Sequence, residues 1–117
     1  MAAAPIRTRP LVAVVSGVPL FVEAMVAAFA GIADVQPVSA DDIEAHALVR
    51  AFRPDAVIVE GVDVDAASFN APCLLIDLKT RRITKHDDAG WRELDIELSP
   101  EAIRNTVVAE LYGGDAE

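Results

Sequence analysis

The chain has one cysteine, Cys73, in 117 residues. No intrachain disulfide can form, and a cytoplasmic location fits that usage. Cys73 lies within the apolar run Pro72–Ile76, where a buried, inert thiol is expected. Aromatics are also scarce, at 5% against 53% apolar residues overall. The core must therefore be built from Val, Ile, Leu and Ala, an aliphatic excess that suits a parallel sheet buried on both faces. Cations are outnumbered as well: ten Lys and Arg face nineteen Asp and Glu, for a net charge of −9. That balance argues against direct nucleic-acid binding through phosphates. A membrane span is not expected either, because no apolar run is long enough. Arg7 and Arg9 ahead of Leu11–Val22 superficially resemble a signal peptide. Gly17 and Pro19 interrupt that run, Glu23 follows it, and no A-x-A cleavage pattern is present.

What remains is the material of one domain. Residues 1–9 read as a flexible leader, 10–114 as the domain and 115–117 as a tail. Strands and helices alternate. Leu11–Val15 is a short apolar run fit for a central parallel strand. Pro19 presets the first turn of a helix that places Val22, Met25, Val26 and Phe29 on one face, and Gly31 ends it. Asp34–Pro37 reads as a second strand. Asp41 and Glu44 have capping-box spacing for a helix that buries Ile43, Ala47, Leu48, Ala51 and Phe52 and stops at Pro54. Ala56–Val59 and Pro72–Ile76 are the third and fourth strands, with Val57, Ile58, Leu74 and Leu75 as candidate core. Only 61–71 separate them, so the third helix is expected to shrink to a turn.

Leu78–His86 has no helical apolar face and is expected to extend the fourth strand and turn back at Thr80-Arg81. Asp87–Leu94 holds a helical turn in this reading, with Trp91 and Leu94 inward, and Asp95–Leu98 forms the last strand. Ser99-Pro100-Glu101 is a strong helix start. Ile103, Val107, Val108 and Leu111 form the apolar face of that helix, and Gly113-Gly114 end it. The sum is an α/β domain: a mostly parallel five-stranded sheet of flavodoxin-like order 2-1-3-4-5, helices on both faces, the third and fourth helices reduced.

Val15-Ser16-Gly17-Val18-Pro19-Leu20, Arg53-Pro54-Asp55 before Ala56–Val59, the run Pro72–Ile76 and Ser99-Pro100-Glu101-Ala102 together resemble a bacterial response-regulator receiver domain. Pro19-Leu20 is similar to the Pro-Leu of the LuxR-type members. The resemblance implies a site at the carboxyl ends of the strands, and there this chain departs from the family. Ser16 and Gly17 stand where receivers hold the two acids that bind magnesium. The phosphoacceptor position maps to Glu60, and the hydroxyl residue that reports phosphorylation maps to Asp77. The family's lysine has no counterpart, since Ile96-Glu97-Leu98 occupies that region.

Phosphotransfer needs a cation held by several oxygens and a positive group to meet the phosphoryl charge. Neither is provided by the pattern. Glu60 is either an imitation of a phosphorylated aspartate or a solvated carboxylate at a strand end. Asp63 and Asp65 either join Glu60 around a cation or form a solvated acidic loop. Gly17 belongs to neither a G-x-G-x-x-G nor a Walker A pattern, although the backbone after it opens a helix and could meet an anion. Ser16 is not in a G-x-S-x-G elbow. His46 and His86 read as surface histidines, and the basic run Lys79, Arg81, Arg82, Lys85 as a solvated turn or edge guard.

No residue constellation supports an enzyme, a metal or a cofactor. The expectation is a phosphorylation-independent pseudo-receiver that acts by protein–protein contact in signalling or transcription regulation. Its partner is a protein or a parent-chain output domain, since no output module follows the fold. A homodimer through the last helix, anchored by Val108 and Tyr112, fits the same reading. The alternative is a small-ligand or nucleotide sensor at the carboxyl ends of strands 1 and 3.

Overall fold

The computed structural model describes residues 9–62 and 64–112. The leader (Arg9 apart), Asp63, Gly113-Gly114 and the tail at 115–117 lie outside the described residues. One mixed sheet holds six strands, β1 Leu11–Ser16, β2 Asp34–Ser39, β3 Ala56–Glu60, β4 Cys73–Asp77, β5 Arg82–Asp87 and β6 Gly90–Leu94, in the order β2-β1-β3-β4-β5-β6. The first four are parallel. β5 and β6 are added antiparallel. Helix α1 spans Pro19–Ala28, α2 Ala45–Phe52 and α3 Pro100–Tyr112.

The pleat sorts the apolar residues into two cores. Val12, Val14, Ile58, Leu74, Ile76 and Ile83 face α1 and α3, where Met25, Phe29, Ile103 and Val107 meet them. Ala13, Val15, Val57, Val59 and Cys73 face the other way, toward Val49 of α2 and Phe69 of a 3₁₀ turn at Ala66–Phe69. Helices thus cover both faces, and the third crossover is reduced to that turn as its length predicts. β1 and β3 are buried nearly throughout, consistent with their near-continuous β-branched runs.

Several expectations are corrected. The sheet has six strands rather than five. Residues 87–94 are not a helical turn: Asp87 closes β5, Asp88-Ala89 turn the chain, and Gly90–Leu94 return as β6. Gly90, at a φ of 100°, permits that turn. Asp95–Leu98 forms no strand, because the hairpin already occupies the sheet edge and this segment only carries the chain back to α3. The fourth helix is replaced by the hairpin.

In α1 the buried spacing is Phe21, Met25, Phe29, so Val26 is exposed instead. α2 starts at Ala45, after a turn in which Glu44 N–H donates to Asp42 Oδ1 at 2.8 Å. That later start leaves Ile43 outside the helix and 97% exposed. Ala47, Leu48 and Ala51 face outward, and Val49 supplies the buried contact with Phe52 half-buried. α3 begins as expected, with Ala102 N–H donating to Ser99 Oγ at 3.0 Å.

Candidate functional site

The parallel register Val15↔Val59 brings the ends of β1 and β3 level. By alternation Ser16 and Glu60 both fall on the α1–α3 side of the sheet. They meet there. Ser16 Oγ donates to Glu60 Oε1 at 2.7 Å, and the Val18 N–H donates to Ser16 Oγ at 2.9 Å. Both side chains are buried, Ser16 at 5% exposure and Glu60 at 9%. A hydroxyl has one proton and two lone pairs, so one serine ties the β1–α1 turn to the end of β3. The bond to a carboxylate is charge-assisted and therefore among the stronger kinds. Where a receiver would gather carboxylates around a cation, this chain has a direct serine–glutamate pair that needs none.

The other two positions do not join that pair. Gly17 is exposed; a Cβ there would meet Ala40 Cβ at 4.0 Å, ordinary contact, so neither space nor backbone conformation demands glycine. Asp77 ends β4, and its side chain falls on the opposite face of the sheet from Glu60 by alternation. It is exposed, and its Oδ1 accepts from the N–H groups of Lys79 at 2.9 Å and Thr80 at 3.2 Å. Asp77 is thus the first residue of the β4–β5 turn. The Thr80 amide, ahead of a smaller opposing desolvation and the Lys79 amide, holds its carboxyl below the usual aspartate range. Glu60 and Asp77 thus leave the sheet from opposite faces. A cleft of about 420 Å³ runs between the ends of β3 and β4, lined by Glu60, Gly61, Val62, Asp77 and Lys79 among others. It lies beside β4 rather than between β1 and β3, and neither Ser16 nor Gly17 lines it.

Among the described residues no three His, Cys, Asp or Glu side chains gather as a metal site would. Asp63 is outside those residues. Asp65 caps the 3₁₀ turn through its carbonyl, which accepts from Ser68 N at 3.0 Å and Ser68 Oγ at 2.7 Å. The histidines are not free on the surface. His46 Nε2 accepts from the Asp65 N–H at 3.1 Å and its ring stacks on Phe69 at 5.4 Å, which clamps the 3₁₀ turn to α2. His86 lies edge-on to Trp91 at 4.9 Å.

Lys85 is the residue that sequence reasoning misplaced. It is 6% exposed, paired with Asp87 Oδ2 at 3.3 Å and with Glu110 Oε2 of α3. Its signal was the alternation within Arg82–Asp87: two residues from buried Ile83, it must face inward. The candidate interface residues sit on α3, Val108 half-buried and Tyr112 57% exposed. The apolar face of α3 is otherwise as expected, with Ile103 and Val107 buried and Leu111 packed against them. Burial pushes the Cys73 thiol up to about 12. No described helix is long and apolar enough to cross a membrane.

No protein-family model, curated protein or solved structure matches the chain.

Proposed function

We propose that this domain is a flavodoxin-like pseudo-receiver that works without phosphorylation, as a cytoplasmic protein–protein interaction module in signalling or transcription regulation. The Ser16–Glu60 hydrogen bond carries the reading. In the receiver reading it stands where the acid pair and the phosphoacceptor would, and it gives Glu60 Oε1 a protein donor. A buried carboxylate already held by a hydroxyl gains little from a cation and is poorly placed to attack a phosphoryl group. With no chemistry at the site, activity passes to surfaces. The outer edge of α3, with Val108 and Tyr112, is offered to a protein partner or a parent-chain output domain.

The sensor reading draws on one observation, the cleft between Glu60 and Lys79. One experiment separates the two. Thermal melting is followed against magnesium up to millimolar concentration and against a panel of nucleotides and small anions. The interaction-module reading expects no saturable rise in Tm with any of them. A saturable rise, which linkage requires of any ligand that binds only the folded state, supports the sensor reading.

A further inference from the structure

The crossover between β3 and β4 is tied to α2 through one side chain. His46 Nε2 accepts from the Asp65 N–H at 3.1 Å, and its ring stacks on Phe69 at 5.4 Å and 27°. Asp65 precedes the 3₁₀ turn and Phe69 closes it, so both ends of the turn meet the same imidazole. The turn borders two cavities. His46, Val49 and Phe69 line one of about 100 Å³. Ala66, Ala67 and Asn70 form one wall of a cleft of about 570 Å³, together with Pro72, His86 and Asp87. The position of the turn therefore shapes both.

A backbone N–H can only donate, so Nε2 must be the acceptor and carries no proton in this bond. In the imidazolium both ring nitrogens are donors, and N–H would face N–H. We infer that His46 is a proton-sensitive latch: as the neutral ring it holds the 3₁₀ turn to α2, and on protonation it releases the Asp65 end of that turn. Imidazole ordinarily changes charge between pH 5 and 8, which puts such a latch in the physiological range. Among the described residues, Asp42 of the β2–α2 turn lines the small cavity beside His46, and Asp65 lies on the crossover itself. Both carboxylates offer counter-charge to the imidazolium once it forms. On its own segment Glu44 stands two residues before His46 and Arg50 one turn after it. β1 and the chain after β3 contribute Val15, Val62 and Val64, which do not titrate. Ala66 and Phe69 are buried, so the rest of the turn stays in place and the release is a local opening. The inference does not depend on what the surfaces of the domain bind.

The test is solvent exchange of the Asp65 amide, followed by NMR on the full chain at pH 8 and pH 5, with each rate divided by the intrinsic rate at that pH. Protection of the wild type should fall about two- to tenfold toward pH 5, the worth of one hydrogen bond. The Ala102 amide, held by Ser99 Oγ at 3.0 Å, should keep its protection. His46→Gln retains an acceptor that does not titrate, so its Asp65 amide should stay protected at both pH values. His46→Phe keeps a ring on Phe69 and removes the acceptor, so protection should be low at both; it decides if the glutamine does not reach the amide. Equal protection of the wild type at the two pH values overturns the inference. So does a His46→Gln variant that loses protection as the wild type does, or a His46→Phe variant that stays protected at pH 8. A parallel loss at Ala102 would mark a general loosening and overturns it too.

Discussion

The Ser16–Glu60 bond can be weighed by a double-mutant cycle. Ser16→Ala removes the hydroxyl, and Glu60→Met removes the carboxylate while keeping much of its length and stem. Ser16→Ala strips Glu60 of a 2.7 Å charge-assisted partner and the Val18 N–H of its 2.9 Å acceptor. The first loss is worth about 1.5–3 kcal/mol and the second about 1 kcal/mol. Ser16→Ala alone should therefore cost about 2.5–4 kcal/mol, and more if Glu60, at 9% exposure, cannot draw in water. Glu60→Met leaves the hydroxyl able to turn to the Val18 carbonyl, at 3.4 Å in the present geometry. In the double variant the Val18 loss remains and the carboxylate penalty disappears. The coupling should be about 1.5–3 kcal/mol, since the two residues share one bond. Urea unfolding read by circular dichroism supplies all four free energies, with equal slopes as the check on two-state behaviour. Costs that add to within about 0.5 kcal/mol would show that the pair contributes no interaction energy, and the closed-site argument would fall with it.

Further outcomes follow from the same geometry. Asp77 has its carboxyl held below its ordinary value of 3.8, so the stability it adds is present above that value and is lost as pH falls through the lower folded value. Asp77→Asn keeps an acceptor for the turn but has no carboxyl to protonate, so its urea midpoint should fall less than that of the wild type below about pH 4. Cys73, with its thiol pushed up to about 12 by burial, should resist thiol reagents at pH 8 in the folded protein and react at once in urea; prompt labelling of the native chain contradicts its placement. Ile58→Ala, in a fully buried position, should cost about 3–5 kcal/mol, and half-buried Leu75→Ala clearly less, about 1–2 kcal/mol; equal shifts in urea midpoint would contradict the two-core packing.

The parallel half of the fold was legible because its strands are buried on both faces. Leu11–Val15, Ala56–Val59 and Pro72–Ile76 are apolar runs that no other element could use, and Pro19 and Ser99 mark helix starts by local chemistry. The hairpin half was legible only in part: the return at Thr80-Arg81 is the observed β4–β5 turn, whereas the sequence of β6 reads as a helical turn. Arg82–Asp87 alternates Ile83 and Lys85 inward against polar neighbours, and a buried lysine breaks the hydrophobic signal that periodicity relies on. Lys85 is intelligible only once Glu110, 25 residues later, lies beside it. The same holds at the site. Ser16 and Glu60 were found by position, but their bond depends on the β1–β3 register, which a single sequence does not state. Asp77 was assigned to the same site by resemblance, as the residue that ends the fourth strand. The pleat, which turns it to the other face, overrides that assignment. Ile43 was placed inside α2 by helical spacing, and the Asp42 turn that delays the helix moved it into solvent.

We propose that the site at the ends of β1 and β3 is closed to phosphoryl chemistry. Intact-mass measurement of the full chain after incubation with acetyl phosphate and magnesium tests it most directly. The mass should stay unmodified, because Glu60 is held by Ser16 and the described residues gather no metal-binding group. A phosphoryl adduct that appears in the wild type and is lost in Glu60→Gln would contradict it.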